Sequence, residues 1–277
     1  MKTFNKIFLS LGVAVAALGV TSCTGDLDLL PVDPNQTTAG TFKDDPEGYM
    51  NKVLADVYLN FSTYGINGNS TVTQFDGGMS TFQRGIFIME EIPTDEANWL
   101  STDDVEYGVL QYGPIPANSP IAGGIYSRMT INITLCNDFI HTVKEGLFGL
   151  PENLQDRAAE YVRQAKILRS ACYYYLIDLY GNVPYADENT PVGSVTAQRT
   201  RAELFDLVTK TLEDVVAEYG NNNKVYYGFV GKQVAQALLA KFYLNAEVYT
   251  GQPQWAKCYA VCQDIINAHQ GKGFQGS

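Results

Sequence analysis

Apolar side chains return at every third or fourth position along most of the second half of the chain, and this period dictates the fold class. Tyr126, Met129, Ile133, Cys136, Ile140, Val143 and Leu147 fall on one face of a helix. Tyr161, Ala165, Leu168, Cys172, Tyr175 and Leu179 do the same in a helix predicted over about 151–180. A stripe of this width leaves water only by packing on other elements, so the chain is expected to build helix on helix.

Six helices are predicted. The first runs over about 46–61, with Asp44 or Asp45 as its cap, Pro46 near its first position and Tyr49, Val53, Val57 and Phe61 as its apolar positions. The two described above follow, and the third stops at Gly181, with Pro184 soon after. Thr200-Arg201-Ala202-Glu203 is a capping box, and it opens a fourth helix striped by Leu204, Val208, Leu212, Val215 and Tyr219. The fifth covers about 231–250, with Ala235, Leu238, Phe242 and Ala246 inward. The sixth begins at Pro253 and carries Trp255, Tyr259, Cys262 and Ile266. Ala237, Ala240 and Ala246, followed by Gly251, Pro253 and Trp255, resemble tetratricopeptide repeats. The expected fold is all-α, made of tetratricopeptide-like helical hairpins with one long irregular loop insertion. That insertion is 62–119, rich in Gly and Pro, where only Gly85 to Glu91 suggests a short strand or extended apolar piece.

The N-terminus carries an export pattern. Lys2 and Lys6 precede an apolar run from Ile7 to Val20, too short to span a bilayer as a helix. Val20-Thr21-Ser22-Cys23 resembles the lipobox of bacterial lipoproteins, so residues 1–22 are expected to be a signal peptide and Cys23 the lipidation site. Asp26 and Asp28 resemble a surface-export signal, and 23–43, with Pro31 and Pro34, is expected to be a tether before a helical domain over 44–277.

Thirty acidic residues against nineteen basic ones give a net charge of −11, which argues against nucleic acid as a partner. Cys136, Cys172, Cys258 and Cys262 all fall on helical stripes and read as small core residues. With only two His in the chain, neither a Cys/His metal site nor His-based catalysis is expected. No nucleophile elbow, phosphate loop or other cofactor motif is present. The chemistry-bearing stretch is Glu90-Glu91-Ile92-Pro93-Thr94-Asp95-Glu96-Ala97-Asn98-Trp99, followed by Asp103, Asp104 and Glu106. It supports three readings. It can be a solvated acidic loop. It can be a sugar-binding patch, with Trp99 stacking on a pyranose while Asn98 or Asp95 takes hydroxyls. It can be a glycosidase pair drawn from Glu90, Glu91, Asp95, Glu96, Asp103 and Asp104.

The stretch from Arg163 to Pro184, containing Leu168-Arg169-Ser170-Ala171-Cys172-Tyr173-Tyr174 and Tyr180-Gly181-Asn182-Val183-Pro184, resembles the signature helix of the SusD/RagB family. Ile92-Pro93-Thr94-Asp95-Glu96, the helix ending in Leu135-Cys136-Asn137, and Ala237-Leu238-Leu239-Ala240-Lys241-Phe242-Tyr243-Leu244-Asn245 resemble further segments of it. The resemblance implies a lipoprotein on the outer face of the outer membrane that binds glycan or peptide and covers a TonB-dependent, SusC-like transporter, without enzymatic activity. It implies that this chain corresponds to the N-terminal half of such a protein. It places Trp99 and Asn98 first among ligand-binding residues, with Asp95 anchoring their loop, and leaves the 163–184 helix as scaffold. A glycoside hydrolase or a protein-binding helical adaptor are the alternatives.

Overall fold

The computed structural model describes residues 39–62, 81–100, 110–113, 115–146, 149–191, 193–222 and 227–269. The signal peptide, Cys23, most of the tether, Leu147, Asp103, Asp104 and Glu106 lie outside them.

Among the described residues the first helix is α1 (Ala39–Asp44), which overlaps the end of the stretch expected to be a tether. Phe42 is buried, and Gly146 makes room for it: a Cβ there would overlap the Phe42 ring. Asp45 caps α2 (Pro46–Leu59) by accepting from the Gly48 amide at 2.9 Å, with Pro46 in the first turn. Then come α3 (Phe82–Glu90), α4 (Pro120–Gly146) and α5 (Glu152–Tyr180). A two-residue antiparallel ladder, β1 (Val183–Pro184) with β2 (Gln198–Arg199), leads to α6 (Arg201–Tyr219). The chain continues through α7 (Lys232–Leu244), α8 (Ala246–Thr250) and α9 (Trp255–His269). Among the described residues no helix is long and apolar enough to cross a membrane.

Long helices pack on their sequence neighbours: α4 on α5, α5 on α6, α6 on α7 and α7 on α9, with α2 laid over α4 and α5. Along α4 and α6 the expected stripes are largely the ones buried. Met129, Ile133, Cys136, Ile140 and Val143 of α4 and the whole Leu204-to-Tyr219 stripe of α6 are in the core. At its centre Phe242 meets Phe205 and Tyr174 edge-on, with centroids 5.8 and 5.4 Å apart. The capping box at Thr200 and Glu203 closes in both directions.

Three expectations need correction. Gly85 to Glu91 is not extended; Gly85 to Glu90 lie in helix α3 and Glu91 is its C-cap. Gly85, Ile88, Met89 and Ile92 are all buried at helical spacing, and a Cβ at Gly85 would stand 2.1 Å from Ile125 Cδ1. The glycine that argued against a helix is what lets α3 press on α4. The fifth helix is broken at Asn245, separating α7 from α8. The stripe expected to bury the sixth helix does not: Trp255, Tyr259 and Ile266 are 60%, 69% and 51% exposed. α9 instead sits on α7 through Cys258 and Val261, and the Cys258 thiol reaches the Ala240 carbonyl at 3.3 Å. Cys136 and Cys172 are buried as expected, whereas Cys258 and Cys262 are only half-buried.

Candidate functional site

The long α5 helix ends in a tightly tied junction. Gly181, at φ 76°, leaves the helix, and the Asn182 side chain accepts from the Arg201 amide at 2.9 Å, joining the end of α5 to the start of α6. The buried Arg169 guanidinium donates to Asn137 on α4 and to Glu188, both at 2.6 Å. Lys144 donates to the other Glu188 oxygen at 2.5 Å. Burial pushes the Glu188 carboxyl up, but Lys144 and Arg169 outweigh it and hold the group at about 2. One turn on, the Tyr173 hydroxyl donates to the Ala186 carbonyl at 3.0 Å and accepts from its amide at 2.8 Å. Arg169, Tyr173 and Asn182 are spent on holding the return loop and the next helix, so this junction is scaffold.

The insertion supplies the exposed chemistry. Phe82 anchors α3 by edge-on contacts with Phe61 and Tyr175, each at 5.1 Å. Ile88, Met89, Ile92, Leu110 and Ile121 form a small core beside it, on which Trp99 and Leu179 pack. Thr94 organises the turn after α3. Its hydroxyl donates to the Glu91 carbonyl at 2.7 Å and accepts from the Glu96 amide at 3.1 Å, leaving Asp95 exposed at the tip. Gln111 ties the next segment: its carbonyl accepts from the Trp99 amide at 3.3 Å and its amide donates to Asn98 Oδ1.

Trp99 is therefore half-buried on a fixed base, Asn98 is exposed beside it, and Asp95 lies on the same loop. The Arg84 guanidinium stands over the Trp99 ring, 5.9 Å from its centroid. Tyr112 is 81% exposed next to Gln111. The sequence singled out neither Arg84, Gln111 nor Tyr112. Arg84 becomes visible only once 82–90 is helical, and Gln111 acts on Trp99 from across a loop. Glu90 faces a different way. Burial raises its carboxyl, Asp178 on α5 raises it further, and Lys241 opposes. Its strongest charged neighbours are thus on the scaffold, and the acids of the loop tip are exposed.

No family model matches the chain. It is 30% identical to the starch-binding protein SusD of Bacteroides thetaiotaomicron over 96% of its own length and 46% of SusD. The chain thus spans about half the length of this curated relative. Its fold is similar to that of surface glycan-binding protein A from Bacteroides uniformis (TM-score 0.61, 19% identity, 83% of this chain and 48% of that one). It is also similar to surface glycan-binding protein A from Bacteroides thetaiotaomicron in complex with laminarihexaose (TM-score 0.56, 18% identity, 83% and 44% covered).

Proposed function

This chain is a SusD homologue with the helical fold of SusD-like proteins, and on that premise we propose that it is the N-terminal half of a cell-surface glycan-binding lipoprotein. Cys23 carries the lipid, the outer membrane holds it, and a TonB-dependent, SusC-like transporter receives the oligosaccharide it captures. The observation that carries the reading is the extent of the SusD similarity, 96% of the chain. Trp99 and its neighbours are the site. The indole of Trp99, half-buried on an apolar base, supplies a ring face for a pyranose. Asn98 and Asp95 supply planar hydrogen-bonding groups beside it, and Arg84 and Gln111 hold the platform in place.

No turnover is expected. A glycosidase needs two facing carboxylates, one kept protonated. Glu90, at the end of α3, is pushed upward by burial and by Asp178 on the scaffold, and the relatives are named as binding proteins. The test is titration of the detergent-solubilised chain with starch- and laminarin-derived oligosaccharides, with product analysis alongside. Saturable binding without new reducing ends supports the reading. Release of reducing ends that is lost on Glu90→Gln overturns it in favour of a hydrolase.

A further inference from the structure

We propose a second saccharide-binding groove, on the N-terminal half of α5 and remote from Trp99. An open cavity of about 600 Å³ lies between α5 and the residues Asn222 and Phe229, within the size range of small-molecule sites. Its polar lining is Asp156, Arg157, Glu160, Arg163, Gln164 and Asn222. Each ends in a planar carboxylate, amide or guanidinium. Such groups engage two neighbouring hydroxyls at once, which a rotating ammonium or single hydroxyl does not. Among the described lining residues two acids stand against two arginines, and each arginine is paired, Arg163 with Glu160 and Arg157 with Glu47. The ligand that suits such a lining is uncharged and dense in hydroxyls.

Two rings complete the groove. Phe229 is 52% exposed, and Tyr58 meets its ring edge-on at 5.8 Å and 88°. Tyr161 is set by its hydroxyl, which donates to Asn51 Oδ1 at 2.9 Å. A held aromatic face covers the C–H face of a sugar ring at little ordering cost. The walls are fixed as well. The Tyr58 hydroxyl accepts from the Val230 amide at 2.9 Å and donates to Gln164 Oε1 at 2.8 Å, tying the Phe229 wall to α5. Glu160 accepts from the Tyr219 hydroxyl at 2.7 Å and from Arg163 Nη2 at 2.9 Å. Donor and acceptor directions are thus set before any ligand arrives.

From Glu160 to Leu179, the residue that packs with Trp99 on the small core, α5 rises by roughly 28 Å. The two sites are separate, and the claim does not rest on the Trp99 platform.

The test uses the full detergent-solubilised chain carrying Trp99→Ala, titrated calorimetrically with neutral hexasaccharides of the malto, laminari, cello, xylo and manno series. At least one of them binds at a site whose affinity is the same with and without Trp99→Ala. Adding Phe229→Ala or Asp156→Ala weakens it about tenfold, the value of one stacked ring, with the helical circular dichroism unchanged. An oligogalacturonate hexamer binds at least tenfold more weakly than the neutral sugar. The proposal is overturned if no neutral hexasaccharide binds the Trp99→Ala chain, if binding ignores both further substitutions, or if unstructured hexapeptides bind the groove more tightly than any sugar.

Discussion

The α5 junction and the α3 loop make opposite use of polar residues. At the junction Arg169, Glu188, Tyr173 and Asn182 all spend polar groups on holding the fold together. In the loop, Thr94 and Gln111 do the holding, while Asn98 and Asp95 remain exposed beside a half-buried Trp99. A motif with many polar and aromatic residues is thus no guide to a binding site until it is known where those groups point. The dense junction of this chain is architecture, and the sparse loop is the proposed site.

The contrast is most sharply broken at Arg169. Arg169→Ala strips a buried guanidinium from Glu188 and Asn137 and should cost about 3–5 kcal/mol in urea unfolding, with oligosaccharide affinity of the folded fraction unchanged. The same pair sets a pH dependence. Because Glu188 is held at about 2 in the fold, below its ordinary 4.5, its contribution is present above about 4.5 and drains away as pH falls toward 2. The melting temperature should fall through that window, and Glu188→Gln should flatten that part of the profile.

Gly85→Ala lies where the two regions meet. Its new Cβ collides with Ile125, so a loss of about 1–3 kcal/mol is expected. Because Arg84 moves with α3, glycan affinity at the Trp99 platform should fall too, which Arg169→Ala should not cause. Trp99→Ala reverses the Arg169 pattern. It should lose about tenfold in affinity at its own site, near the value of one stacked ring, with a smaller change in melting temperature. Thr200→Ala, which removes one half of the capping box, should cost only about 1 kcal/mol and leave binding untouched.

Much of the fold could be read from the residues. The α4, α5 and α6 stripes, the Asp45 cap, the capping box at Thr200 and the stop at Gly181 all follow from local chemistry and period. The failures share a cause. Gly85 reads as a helix breaker in isolation, and only the approach of Ile125 gives it a reason to be in a helix. Trp255, Tyr259 and Ile266 form a correct helical stripe, but period does not say whether anything covers it, and here the packed side of α9 is that of Cys258 and Val261. The site was legible as residue types and not as geometry. Trp99 and Asn98 could be chosen by chemistry, whereas Arg84 and Gln111 reach them only through the fold.

The central claim is that glycan meets the Trp99 platform. Trp255→Phe leaves Trp99 as the sole tryptophan of the chain, so its fluorescence reports on that platform alone. Titrating this variant with an oligosaccharide shown by calorimetry to bind should shift the Trp99 emission saturably, with the calorimetric dissociation constant of one site. If oligosaccharide binds while the Trp99 emission stays fixed, the ligand sits elsewhere and the account of the α3 loop as the binding site is contradicted.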